Sequence, residues 1–209
     1  MTMREEMSTQ ELKERLALIE SMIAEGRRGT QSWGWVFLLW GVAYYVAIAW
    51  ATRGRNFSVW GNGNWLAWPA TMAVAFVLTL IIGIRKGRGQ PITTVGRAVV
   101  AVWSCVGVSM FLLFPALAIN GRLDEHAFVA LVSSMLGVAN GASGLILRWR
   151  AQVLCAVVWW AASAAACVGS LAQVTLVFLA AIFVCQIAFG IYTMILEARR
   201  RGSHGVAHA

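Results

Sequence analysis

Apolar residues run along this chain in long unbroken blocks separated by short polar segments. Trp33 to Ala51, Trp65 to Ile84, Ala98 to Ile119, Ala127 to Leu147, Gln152 to Gly169 and Ala172 to Leu196 contain no charged residue. About 20 apolar residues in a helix cross a ~30 Å hydrocarbon core, so the pattern predicts six transmembrane helices. Ala151 to Leu196 is charge-free throughout and too long for one span; the Gly169-Ser170 pair is the natural place to divide it. A transmembrane barrel would alternate apolar and polar residues over segments of about ten, which these blocks do not do. The expected fold class is therefore an all-α integral membrane protein, with six helices in a compact bundle over residues 33–196.

A different rhythm governs the stretch before the first block. In "MSTQELKERLALIE", Ser8 and Glu11 have capping-box spacing, with Met7 and Leu12 placed as a hydrophobic staple. A helix is expected to start there and stop near Gly26. Leu12, Leu16, Ile19 and Ile23 recur at the 4-3-4 spacing of a short coiled-coil seam. A membrane-surface helix is the competing reading, but such helices are basic. Between Thr9 and Glu25, Glu11, Glu14, Glu20 and Glu25 outnumber Lys13 and Arg15, which favours self-association or a protein partner. Residues 1–32 thus form an amphipathic helix and linker, and 197–209 a basic tail without regular structure.

Composition agrees with the block pattern: 59% of residues are hydrophobic and 12% charged, against about a quarter charged in soluble proteins. The lipid bilayer is the first partner. Charge then orients the chain, because Lys and Arg are retained on the cytoplasmic side. With both termini cytoplasmic, fourteen of the 17 Lys and Arg lie inside, and only Arg53, Arg55 and Arg122 lie outside. The expected location is a cell membrane. The net charge of +8 marks helix ends and not a basic face on a soluble element, so nucleic acid is not an expected partner. Basic residues close every second span, at Ile84-Arg85-Lys86, Leu147-Arg148 and Glu197 to Arg201. Three helical hairpins would give that echo, and so would positive-inside bias alone.

Chemistry inside the bilayer is sparse. No Asp, Glu, Lys, Arg or His lies within the body of any span, although coupled pumps and proton relays depend on such residues. In "LDEHAF", Asp124, Glu125 and His126 point in different directions on a helix and read as an N-terminal cap. His204 and His208 have metal-like spacing in a Gly-rich tail. The four cysteines, Cys105, Cys155, Cys167 and Cys185, all lie in spans and form no CxxC pair. No nucleophile elbow, Walker loop or HExxH pattern occurs. No enzymatic activity, cofactor or metal is expected.

The one anomalous stretch in a span is "GVANGASG", residues 137–144. At about 100° per residue, Ala130, Ser133, Gly137, Asn140, Gly141 and Gly144 share one sector, and Phe128, Leu131, Met135, Val138, Leu145 and Ile146 face away. Such a groove of small residues lets two backbones approach. Asn140 within it is then either one interhelical hydrogen bond or a polar anchor for a small solute. Ala43, Ala47 and Ala51 make a second ridge beside Trp40 and Tyr44, while "WWAASAAAC" is small all round and offers no face. Gln186, Tyr192 and Thr193 supply internal hydrogen bonds to the sixth span, and Pro115 is placed to kink the third. Of the 11 tryptophans, Trp33, Trp35 and Trp149 sit at the inner boundary. Trp50, Trp60, Trp65 and Trp68 sit at the outer one, as an interfacial belt or as a lid over a solute pocket in which Trp60, Trp65, Trp68 and Asn140 take part.

Two function classes follow. The first is a passive or binding-type handler of a small solute: a channel, a facilitator or the binding subunit of a transporter. In size, span number and the alanine ridge of the first helix, the chain resembles the substrate-binding subunits of energy-coupling-factor vitamin transporters, a likeness of architecture that implies solute binding. The second is a membrane-embedded scaffold or regulatory protein whose N-terminal helix self-associates or captures a partner. The topology has a direct check: cysteines placed at Trp60 and in the C-terminal tail should be labelled by an impermeant reagent from opposite faces of the membrane. Labelling of both from one face would overturn it.

Overall fold

The computed structural model describes residues 2–52, 67–87 and 93–206. They form helices α1 (Thr2–Gln31), α2 (Gly34–Thr52), α3 (Ala67–Gly87), α4 (Thr94–Ile119), α5 (Glu125–Ile146), α6 (Arg150–Val168), α7 (Leu171–Ile182) and α8 (Phe189–Val206). A π-helical turn, Phe183–Ala188, joins α7 to α8, so the two make a single span. Six helices are long and apolar enough to cross a membrane, and no strand occurs among the described residues. The chain is a multipass all-α membrane protein.

Local signals set the breaks between helices. α6 ends at Gly169, and Ser170 opens α7 with a capping box in which its backbone N–H donates to Gln173 Oε1 at 2.8 Å. Thr93 caps α4 by accepting from Gly96 N–H, and Asp124 caps α5 by accepting from Ala127 N–H at 2.7 Å. The α5–α6 turn is a Schellman motif: Trp149 N–H reaches Gly144 O (2.8 Å) and Arg148 N–H reaches Leu145 O. Its left-handed position, φ 49°, is occupied by Arg148, where glycine is the unstrained choice. α4 continues through Pro115 to Ile119.

α5 lies at the centre, packed most extensively on α6, while α2 packs on α3, α7 and α8. α4 is the least buried span. Single side-chain hydrogen bonds tie the neighbours together: Trp40 Nε1 to Thr79 Oγ1 (3.1 Å), Tyr45 OH to Leu179 O (2.9 Å), Trp103 Nε1 to Ser143 Oγ (3.1 Å) and Ser163 Oγ to Ala130 O (2.8 Å). Each contributes about 0.6 kcal/mol in a membrane. Two aromatic clusters hold the ends of the bundle. Phe128 meets Trp68, Phe114 and Phe178, with ring centroids 4.7, 5.3 and 6.2 Å away. Phe37 and Trp149 meet Phe189, each at 5.1 Å.

Several sequence expectations are corrected. α1 neither starts at Ser8 nor stops at Gly26; it runs from Thr2 to Gln31. Gly26 stays helical because it is a packing position, and a Cβ there would sit 2.6 Å from Val95 Cγ1. Phe128 does not face lipid but is 5% exposed, and Trp68 and Trp149, at the ends of spans, are buried against neighbouring helices. α6 does have a face, buried through Gln152, Cys155, Ala156, Trp159, Ala162 and Ala166. α8 carries on through Val206, its basic residues suiting the negative end of the helix dipole. Because Phe128 joins three rings whereas Phe111 is 78% exposed, Phe128→Ala should cost about 3–5 kcal/mol. Phe111→Ala should change stability by no more than ~0.5 kcal/mol. Thermal unfolding in one detergent compares them.

Candidate functional site

The groove on α5 faces α6, whose Trp160, Ala156 and Val153 lie against its glycines. Trp160 of α6 lies over Gly137 and Gly141: a Cβ on Gly137 would collide with its Cδ1 and Nε1, and one on Gly141 would sit 3.0 Å from its Cη2. At the turn, a Cβ on Gly144 would come within 2.8 Å of the Val153 backbone. Glycine at these positions therefore admits an indole and then a backbone, the close approach that small residues provide in membranes. Ser133 is fully buried on the same helix.

Asn140 is also fully buried, yet its amide does not cross to a neighbouring helix. Its Nδ2 donates within α5 to Leu136 O at 2.9 Å, and its Oδ1 has no hydrogen-bond partner among the described residues. This departs from the expected interhelical bond. Ser133 Oγ, both amide atoms of Gln152, Trp159 Nε1 and Trp68 Nε1 are likewise buried without a partner. Native interiors leave few such groups, because each costs about 1–3 kcal/mol. Gln152 and Trp159 recur seven residues apart on the buried face of α6, the face that also carries Cys155, whose carbonyl accepts from Cys185 Sγ at 3.5 Å. The unpartnered groups of α6 thus share a helix face with the contact to the π turn, and π turns often mark functional sites.

A cavity between Ile48, Glu125, Phe128, Val174 and Phe178 holds about 20 Å³, room for about one water molecule, whereas solute pockets span roughly 300–1,000 Å³. Trp68 is packed into the Phe128 cluster near it. Trp60 and Trp65 lie outside the described residues, as does the side chain of Met7, the proposed staple residue. Among the described residues, no three His, Cys, Asp or Glu side chains gather at metal-binding distance. His126 Nε2 instead lies 3.3 Å from Gly169 O, bridging α5 to the α6–α7 break.

On α2, Ala47 and Ala51 are buried and Ala43 is half-buried. They share a side with Trp40, which reaches Thr79 of α3. The opposite side holds a crossing that sequence reasoning missed. A Cβ on Gly41 would sit 2.7 Å from Ile187 Cδ1 and 2.8 Å from Gln186 Cβ; one on Gly190 would sit 2.9 Å from Gly34 O. The seven-residue spacing of Gly34 and Gly41, two turns on one face, was the available signal. The last candidate lies apart from the bundle. Leu12, Leu16 and Ile19 of α1 are 62%, 54% and 52% exposed, and Ile23 is half-buried.

Gly137→Ala should therefore lower stability by about 1–3 kcal/mol through overpacking against Trp160, and Gly141→Leu by at least as much. Gly83→Ala, where nothing lies within 4 Å, should be neutral or slightly stabilising. Asn140→Ala should cost under about 1 kcal/mol, since it removes one bond within the helix together with an unpartnered oxygen. Unfolding midpoints of the four variants test the ranking, and a wild-type midpoint for Gly137→Ala would contradict it. Comparison with family models, with curated proteins and with solved structures gives no match, which leaves the residues of this chain to carry the functional reading.

Proposed function

We propose that this protein is a membrane-embedded scaffold or regulatory protein whose bundle holds α1 as a docking helix. The observation that carries the reading is the contrast within α1. Residues 11–21 are exposed throughout, including Leu12, Leu16, Leu18 and Ile19, while Gly26 is buried against Val95 at the start of α4. A helix seated at its base and bare above presents its apolar seam already ordered, which lowers the entropic cost of binding. Glu11, Lys13, Glu14, Arg15 and Glu20 interleave with that seam, so the segment belongs in water and its apolar stripe suits a protein surface. With both termini cytoplasmic, as the basic residues indicate, α1 works at the cytoplasmic face of a cell membrane.

Passive handling of a small solute is the second reading. The unpartnered buried atoms of Ser133, Asn140, Gln152 and Trp159 favour it, and with no ionised side chain among them the solute would be neutral and polar. The readings separate by photocrosslinking in native membranes. A photoreactive residue at position 16 should yield protein adducts, and one at position 112, on the exposed face of α4, should yield lipid adducts. Lipid adducts alone from position 16 would overturn the docking reading. Asn140→Ala and Gln152→Ala variants that fold normally but abolish solute binding or flux in liposomes would establish the second.

A further inference from the structure

The apolar seam of α1 is flanked by charges whose order selects a partner. On a heptad with Leu12 and Ile19 at d and Leu16 and Ile23 at a, Lys13 and Glu20 fall at e and Arg15 at g. In a parallel pair, g of one helix meets the following e of the other, which sets Arg15 against Glu20. In an antiparallel pair, e meets e, which sets Lys13 against Glu20. Either sense brings Glu20 to a base of an identical helix twice, by symmetry, and neither sets like charges together at these flanking positions. Within one chain Arg15 holds Glu11 at 2.5 Å, an exposed pair that can be shared or exchanged at little cost.

We infer that the occupant of the α1 seam is α1 of a second copy of this chain, so that the protein assembles as a homodimer through a short helical pair at the membrane face. The inference rests on the reading of α1 as a docking helix. A seam of about two heptads is marginal for free peptides, but here two conditions change the balance. The contact of Gly26 with Val95 holds α1 to the bundle, and the spans confine both copies to one bilayer, raising their effective concentration toward the millimolar range. The net negative charge between Thr9 and Glu25 disfavours the alternative in which the seam lies flat on an anionic lipid surface.

The test uses the full-length protein in nanodiscs or mild detergent, with mass measured by light scattering across a dilution series. The wild type should be a dimer. Leu16→Lys with Ile19→Lys should convert it to a monomer with an unchanged unfolding midpoint, since both side chains are more than half exposed. Glu20→Lys should raise the dimer dissociation constant about fivefold. Adding Arg15→Glu to Glu20→Lys restores the dimer if the pair is parallel, and adding Lys13→Glu restores it if the pair is antiparallel. A monomeric wild type, a dimer that survives the double lysine substitution, or rescue by neither second-site change overturns the homodimer. If the homodimer falls while position 16 still crosslinks to a different protein, α1 remains a docking helix for another partner. If neither mass nor crosslinking responds to α1, both readings fall together.

Discussion

The close approach of α6 to the glycines of α5 is the contact around which the rest of the bundle is arranged: Trp160, 43% exposed, lies over Gly137 and Gly141, and Val153 lies against Gly144. The indole lies there only because Gly137 and Gly141 lack side chains. The tight Schellman turn at Leu147–Trp149 joins the two helices where Gly144 and Val153 come close. Arg148 accepts a left-handed backbone at that turn, at a cost of order 1 kcal/mol that packing of the hairpin over-determines. With the hairpin set, α5 becomes the shared neighbour of α4, α6 and α7.

Centrality has a consequence for polarity. A helix surrounded by others in hydrocarbon has no water to satisfy its side chains, so each polar group on it must find a protein partner or go without. Ser143 finds Trp103, and the Ala130 carbonyl finds Ser163. Asn140 closes half of its capacity on its own helix, and Gln152 closes none. In water-soluble interiors such groups are removed or networked; here they persist on the faces that line the bundle interior. That is a physical reason to keep solute handling as a reading even though the described cavity accepts only about one water.

Much of this was legible in the sequence, and the reason differs by feature. The six spans could be read because hydropathy over about 20 residues is a bulk property that packing does not alter. The break at Gly169-Ser170 could be read because a charge-free run that long must be divided and Gly-Ser is a local break signal; the Ser170–Gln173 capping box that sets it was not read. Gly26 was misread as a helix end because glycine serves both as a terminator and as a close-packing residue, and only the neighbour, Val95, decides which. The burial of Trp68 and Trp149 was not read for a related reason: near the end of a span, an aromatic anchor and an aromatic core residue have the same sequence signature. The face of α6 was missed because Gln152, Cys155, Ala156, Trp159, Ala162 and Ala166, which form it, mix polar, small and large side chains in a helix that is small nearly all round. The glycine crossing of α2 with α8 needed two helices distant in sequence to be considered together.

Exposed apolar surface means different things at different depths, and this decides where function is to be sought. Phe111, at 78% exposure on α4, faces lipid tails that solvate it as well as a protein core would, so its exposure raises no question. Leu12 has a comparable exposure, 62%, but five charged residues within ten positions of α1 keep its segment out of hydrocarbon. Each large aliphatic side chain left in water forgoes about 1.5–3 kcal/mol of burial, and α1 leaves Leu12, Leu16, Leu18 and Ile19 so placed. The spans are complete once lipid surrounds them, whereas α1 is not complete in either solvent. Under the docking reading proposed for α1, a second apolar surface lined with opposite charge would cover that stripe.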